Sequence, residues 1–197
     1  MSLLIKICGL RDEQQVAAAV AAGADAVGFV FAESARQVTP QHARSLSAAV
    51  PPAVKRVAVM LHPDNAAWLE VLRVFAPDVL QTDADDFATL DVPDSVERWP
   101  VFREGQTPPM IETTYVYEGA MSGRGETVDW SAAARLATHG RMILAGGLGP
   151  DNVAAAIAAV RPKGVDVSSG VETAPGMKDP RLINDFINAA RAAERSL

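Results

Sequence analysis

Short apolar runs alternate along the chain with longer stretches in which apolar residues recur every three or four positions. The short runs, rich in β-branched and aromatic residues, read as strands; the longer periodic stretches read as helices. Strands are predicted at residues 3–8, 25–31, 55–61, 78–82, 99–103, 113–118, 142–145 and 164–168. Helices are predicted at 12–22, 40–50, 64–75, 130–137, 150–160 and 179–195, with a weaker one near 85–90. Punctuation supports these limits. Asp12 and Asp64 stand where helix N-caps belong, and Gly23 follows a helix end. Pro150 takes a first-turn position with Asp151 behind it. Residues 104–112 hold two prolines and are too short for a helix.

Eight strands in alternation with seven or eight helices imply parallel strands, because parallel neighbours need crossover connections. Eight such units predict an α/β fold, a single parallel eight-stranded (β/α)₈ TIM barrel over residues 1–197 with short loops. An open doubly wound sheet is the structural competitor, and it requires some of the weaker middle strands to be absent. Composition allows either. With 49% of its 197 residues hydrophobic the chain can fill a large core, and 21% charged residues argue against disorder.

The net charge of −6 argues against nucleic acid or an anionic membrane as the main partner, though not against a small anionic ligand in a locally positive pocket. One cysteine excludes an internal disulfide and suits a reduced, cytoplasmic setting. The N-terminus runs directly into a strand, so no signal peptide is expected, and no apolar run has the length of a membrane span. Nothing in the sequence decides between monomer and homodimer.

In such a barrel, chemistry gathers at the C-terminal ends of the strands and in the loops that follow. Cys8 ends the first strand: it is either a small core residue or, if its pKa is lowered, a thiolate base. Arg36 follows the second strand. It is either solvated or a bidentate carboxylate anchor. Asp129, just ahead of a helix, is an N-cap by default, and that does not exclude a chemical role. Gly146-Gly147 after strand seven and Ser169-Gly170 after strand eight let backbone N–H groups approach an anion, as barrels often do for phosphate between these two loops. A tight turn is the plainer explanation of Gly146-Gly147 alone, but two glycine-bearing strand ends at positions seven and eight together favour phosphate. His42, His62 and His139 have neither the spacing nor the acidic companions of a metal site, so no metal is expected. Cys8-Gly9-Leu10-Arg11-Asp12 lacks a dinucleotide-binding fingerprint.

Taken together, these segments resemble the phosphoribosylanthranilate isomerase family of tryptophan biosynthesis. The matching stretches are Lys6 to Leu10, Gly23 to Phe31 with Ser34-Ala35-Arg36, Gly125 to Trp130, Leu144 to Leu148, Asp166 to Glu172 and Pro175 to Asp179. The resemblance implies an aldose–ketose isomerase that converts N-(5-phosphoribosyl)anthranilate to 1-(2-carboxyphenylamino)-1-deoxyribulose 5-phosphate without a cofactor. It implies Cys8 as general base and Asp129 as general acid. Arg36 would hold the substrate carboxylate, and Gly146, Gly147, Ser169 and Gly170 its phosphate. Two departures stand out. Gln81-Thr82-Asp83-Ala84 lacks the histidine common at the end of the family's strand four, and Glu118 stands where an aspartate is common. Two competing readings are a related isomerase of histidine biosynthesis, disfavoured by Cys8 where a carboxylate is characteristic, and a non-catalytic or altered-specificity phosphosugar-binding barrel.

Overall fold

The computed structural model describes residues 2–110, 113–120 and 127–197. Eight parallel strands close on themselves in sequence order: β1 (Leu4–Cys8), β2 (Ala26–Val30), β3 (Lys55–Val59), β4 (Val79–Asp83), β5 (Glu97–Arg103), β6 (Thr114–Glu118), β7 (Arg141–Leu144) and β8 (Gly164–Val167). β1 pairs with both β2 and β8, with Lys6 opposite Ala26 on one side and Asp166 on the other. The open-sheet alternative is thereby excluded.

The strict alternation of strand and helix is not fully realised. The α-helices of the described residues are α1 (Glu13–Ala22), α2 (Pro40–Leu46), α3 (Asn65–Phe75), α4 (Trp130–Leu136), α5 (Val153–Val160) and α6 (Pro180–Glu194). Between β4 and β5 there is only a 3₁₀ turn, Ala84–Ala88, where a weak α-helix was expected. That segment is short, acidic and broken by Pro93, so it cannot sustain an amphipathic stripe. No α-helix is found among the described residues between β5 and β6, where Pro108 and Pro109 lie. α5 begins at Val153, so Pro150 and Asp151 form the turn ahead of it instead of its first residues.

Capping follows the sequence elsewhere. The Asp12 carboxylate accepts from the Gln15 N–H at 2.8 Å, and that of Asp64 from Ala67 at 2.7 Å. Gly23 closes α1 at φ 93°, a left-handed conformation that suits glycine.

Side chains alternate along each strand. One set packs outward against the helices, with Ile5, Ile7, Phe29, Leu80 and Tyr115 fully buried there beside Trp68 of α3. The other set fills the barrel interior with Ala26, Val57, Val79, Trp99, Val116 and Ile143. The inward ladder is apolar at the floor and turns polar toward the C-terminal rim, where Cys8, Gln81, Arg103, Glu118 and Asp166 take the same inward positions. Between β8 and α6 a small antiparallel hairpin, β9 (Glu172–Ala174) and β10 (Met177–Lys178), folds back over this rim.

Candidate active site

A cleft of about 320 Å³ opens at the C-terminal rim, a size suited to a small phosphorylated ligand. Cys8, Arg36, Gly146, Gly147 and Ser169 all line it, so five of the seven residues singled out in the sequence meet in one place. Gly170 packs behind that wall. A methyl group on it would lie 1.9 Å from the Leu148 carbonyl oxygen, so the turns after β7 and β8 touch backbone to backbone there. Gly146 and Gly147 have φ of 89° and 62°, and the Asn152 side chain braces the turn. Its amide donates to the Gly147 carbonyl at 2.8 Å, and its oxygen accepts from the Gly149 N–H at 2.8 Å. The N–H groups of Gly146, Gly147, Ser169 and Gly170 make no hydrogen bond within the described chain. Two glycine turns therefore present a set of unpaired donors at one edge of the cleft, which is what an anion site built from backbone requires.

Asp129 is placed differently. It is exposed, caps α4 by accepting from the N–H groups of Ser131 at 2.8 Å and Ala132 at 3.2 Å, and does not line the cleft. Its own N–H donates to the Glu104 carboxylate at 2.8 Å. As the last residue before α4 it still follows β6 and stands at the same end of the barrel as Cys8. Gly125 and Glu126, the first residues of that matching stretch, and most of the Gly-rich segment 119–125 lie outside the described residues.

Arg36 is neither free nor solvated. It grips Glu172 with two parallel hydrogen bonds of 2.8 Å, and its stem lies across Gly9, where a methyl group would sit 2.6 Å from the Arg36 Cδ. Lys178, from the same hairpin, donates to Glu172 at 2.6 Å and to the Ser168 carbonyl at 3.0 Å. Burial alone would raise the Glu172 carboxyl, but the hydrogen bonds from Arg36 and Lys178 outweigh it and hold the group below the usual carboxylate range. Burial lowers Lys178 from the ordinary lysine value, against the pull of Glu172.

Beneath Cys8 lies an ion pair the sequence reading passed over. Lys6, fully buried, donates to Asp166 at 2.9 Å. Burial would lower the Lys6 ammonium, but Asp166 and Cys8 together raise it, so it stays charged. Cys8 is buried, as a small core residue would be, and the condition attached to the thiolate reading is opposed by that burial. Burial pushes the thiol up, against the opposing pull of Lys6. Sequence signals for these partners existed: a lysine in the run Leu3-Leu4-Ile5-Lys6-Ile7 and an aspartate in Gly164-Val165-Asp166-Val167, each at an inward register position.

The opposite wall carries both departures from the family pattern. Arg103 at the end of β5 bridges Asp83 and Glu118, each at 2.6 Å. His62, in the loop after β3, puts its Nε2 at 3.4 Å from Asp83 and its Nδ1 at 3.0 Å from Asp86. The hydrogen bond to Asp86 raises the imidazole pKa. The imidazole is mostly exposed and does not line the cleft, so it touches that wall only through Asp83 and Asp86. No cluster of metal-ligating side chains occurs among the described residues. None of their helices is long and apolar enough to cross a membrane.

A closed parallel barrel whose inward ladder turns polar at the C-terminal rim, above two glycine turns, defines an enzyme of the (β/α)₈-barrel class. Comparison with known proteins narrows this. The family profile described as N-(5'phosphoribosyl)anthranilate (PRA) isomerase matches residues 5–189, and the chain belongs to that family. It is 41% identical to the N-(5'-phosphoribosyl)anthranilate isomerase of Pseudomonas fluorescens, covering 94% of this chain and 97% of that one. It is 38% identical to that of Listeria monocytogenes, over 98% and 100%. Among solved structures, TrpF from Jonesia denitrificans superposes with a TM-score of 0.82 at 37% identity over 98% of both chains. A phosphoribosyl anthranilate isomerase in complex with reduced 1-(o-carboxyphenylamino)-1-deoxyribulose 5-phosphate does so with 0.80 at 30% identity, over 96% and 99%. The activity is therefore isomerisation of N-(5'-phosphoribosyl)anthranilate, a step of tryptophan biosynthesis. The histidine-biosynthesis and non-catalytic readings are set aside.

Proposed function

We propose that the substrate is stretched across the cleft by an anion at each end, with the phosphate on the turns at Gly146-Gly147 and Ser169-Gly170 and the anthranilate carboxylate on Arg36. The observation that carries this reading is the row of unpaired N–H donors at those turns in a cleft that also holds Cys8 and Arg36. Two fixed ends leave the ribose between acid and base, which turns proton transfer into an intramolecular problem.

Asp129, in its acid form, gives a proton to the ribose ring oxygen as the C1'–O bond breaks and the nitrogen lone pair forms C1'=N. The Cys8 thiolate then takes the C2' proton. The C2'–H electrons form C1'=C2', and the C1'=N pair returns to nitrogen. The resulting enol gains a proton at C1' and loses one from its C2' hydroxyl to give the ketone. A thiol held up by burial is sparsely ionised, but its thiolate is a stronger base once formed. The working thiol suits a cytoplasmic, reducing setting, with the small-molecule substrate as partner and no nucleic acid or membrane. Monomer and homodimer are both candidate assemblies, given that monomers generated from the dimeric phosphoribosylanthranilate isomerase of Thermotoga maritima are among the similar structures.

The test is turnover of aminosugar substrate generated in situ, with inorganic phosphate as competitor. Turnover that phosphate inhibits competitively is expected. Phosphate that fails to compete in an active preparation overturns the placement of the substrate phosphate.

A further inference from the structure

We propose that Lys6 is a positioning residue for the reaction: clamped by Asp166 at the floor of the cleft, its ammonium is the counter-ion that lets the neighbouring Cys8 thiol ionise. The inference rests on the assignment of Cys8 as the base.

Geometry carries it. Lys6 and Cys8 are two residues apart on β1 and so point to the same, inner side of the barrel. Both crowd onto Gly28 of β2. A methyl group there would sit 3.0 Å from the Cys8 Sγ and 3.1 Å from the Lys6 Cε, so the absence of a side chain at 28 is what lets the two lie together. Across β8, Asp166 holds Lys6 at 2.9 Å, and its other oxygen is buried without a partner. A buried ion pair is weak evidence for stability, since an apolar pair of similar volume is often as stable. The neighbouring interior positions are indeed apolar: Ala26, Val57, Val79, Val116 and Ile143. A lysine in that layer is better accounted for by what it does to its neighbour.

The charge count points the same way. The charged groups around Cys8 are Lys6 on β1, Asp166 on β8, Lys178 on β10, Arg36 in the loop after β2 and Glu172 on β9; β2 contributes only Gly28. Before the substrate carboxylate reaches Arg36, three cations and two carboxylates leave one positive charge uncompensated, and a thiolate at Cys8 brings the cluster to neutrality. Lys6 opposes the burial that pushes the thiol up, and Asp166 acts against it.

The experiment uses the full chain, in which Cys8 is the sole cysteine, so the pH dependence of alkylation by iodoacetamide reports that thiol alone. Asp166→Asn should lower the midpoint, because it removes the nearby negative charge. Lys6→Met combined with Asp166→Asn removes the lysine without stranding a buried carboxylate. Its midpoint should lie about one to three pH units above that of Asp166→Asn, the usual effect of an adjacent opposite charge. The acid limb of kcat/KM, which reports the free enzyme, should move with it. If the double variant does not fold, an Asp166→Asn midpoint equal to wild type overturns the proposal. Equal midpoints in the single and double variants overturn it too, and leave Cys8 as the base. Midpoints that move while the kcat/KM limb stays fixed overturn the assignment of Cys8, and with it the part Lys6 plays in the reaction.

Discussion

Asp129 carries an observed structural role and a proposed chemical one, and Asp129→Asn separates them. Its carboxylate caps α4 through two hydrogen bonds, at 2.8 and 3.2 Å, both accepted by the same oxygen. An asparagine oxygen can accept both of these bonds, so the cap survives. What is lost is the acidic proton. An N-cap is worth about 1 kcal/mol, and 1 kcal/mol moves Tm by roughly 2–4 °C in a chain of this size. Asp129→Asn should therefore leave Tm within about 1 °C of wild type. Asp129→Ala, which removes the acceptor, should lower it by about 2–4 °C. On kcat both variants should fall by about 10²–10⁴, the usual worth of one general acid. The assays are thermal unfolding followed by circular dichroism and turnover in preparations free of host isomerase. A near-wild-type kcat in Asp129→Asn, with the Tm loss confined to Asp129→Ala, would refute the chemical role and leave only the cap.

Further expectations follow from the same geometry. Arg36→Lys keeps a positive charge on Glu172 but loses the two-pronged contact, so KM should rise about ten- to a hundredfold with smaller stability loss than in Arg36→Met; steady-state kinetics beside chemical denaturation check both. Gly170→Ala must force its methyl away from the Leu148 carbonyl, now 1.9 Å distant, and part the two turns. It should weaken inhibition by phosphate and cost about 1–3 kcal/mol in stability, and an unchanged inhibition constant and Tm would count against the close packing. Glu172→Gln leaves Arg36 and Lys178 without their shared carboxylate, with a loss of about 3–5 kcal/mol at neutral pH. Because the folded-state pKa of Glu172 lies below its ordinary value, its contribution is complete above the ordinary carboxylate range and fades as pH falls through the folded value. Denaturation midpoints of wild type and variant should therefore converge toward acid pH.

Much of the fold was legible because the barrel repeats one signal eight times. Each strand was expected within a few residues of its place, since a buried parallel strand is a continuous apolar run. The stretch between β4 and β6 was harder, because the chain there replaces helices with a 3₁₀ turn and a proline-bearing connection whose hydrophobic period is too short to read. Cys8, Arg36, Gly146, Gly147 and Ser169 could be found because strand ends are visible in sequence and the barrel rule says what strand ends do. Their partners could not. Glu172 reaches Arg36 across 136 positions and Asp166 reaches Lys6 across 160, and closure of a ring leaves no local trace of which side chains will face each other. Nor could the sequence show that Asp129 caps α4 without lining the cleft wall, since a cap and an acid use the same residue at the same kind of place.

The hairpin that follows β8 has a consequence for synthesis. Cys8, Lys6 and Arg36 leave the ribosome more than a hundred residues before Asp166, Glu172 and Lys178. The ends are held together as well: the Leu3 N–H donates to Glu194 at 2.6 Å, and Arg191 donates to the Leu3 carbonyl and to Asp25. A nascent chain thus carries its reactive thiol beside an unpaired lysine and an unanchored arginine until the ring shuts. The cluster around Cys8 therefore exists only once β1 and β8 have paired, and a circular permutation that brings β8 and its hairpin next to β1 in sequence would make the same cluster a local product of the chain.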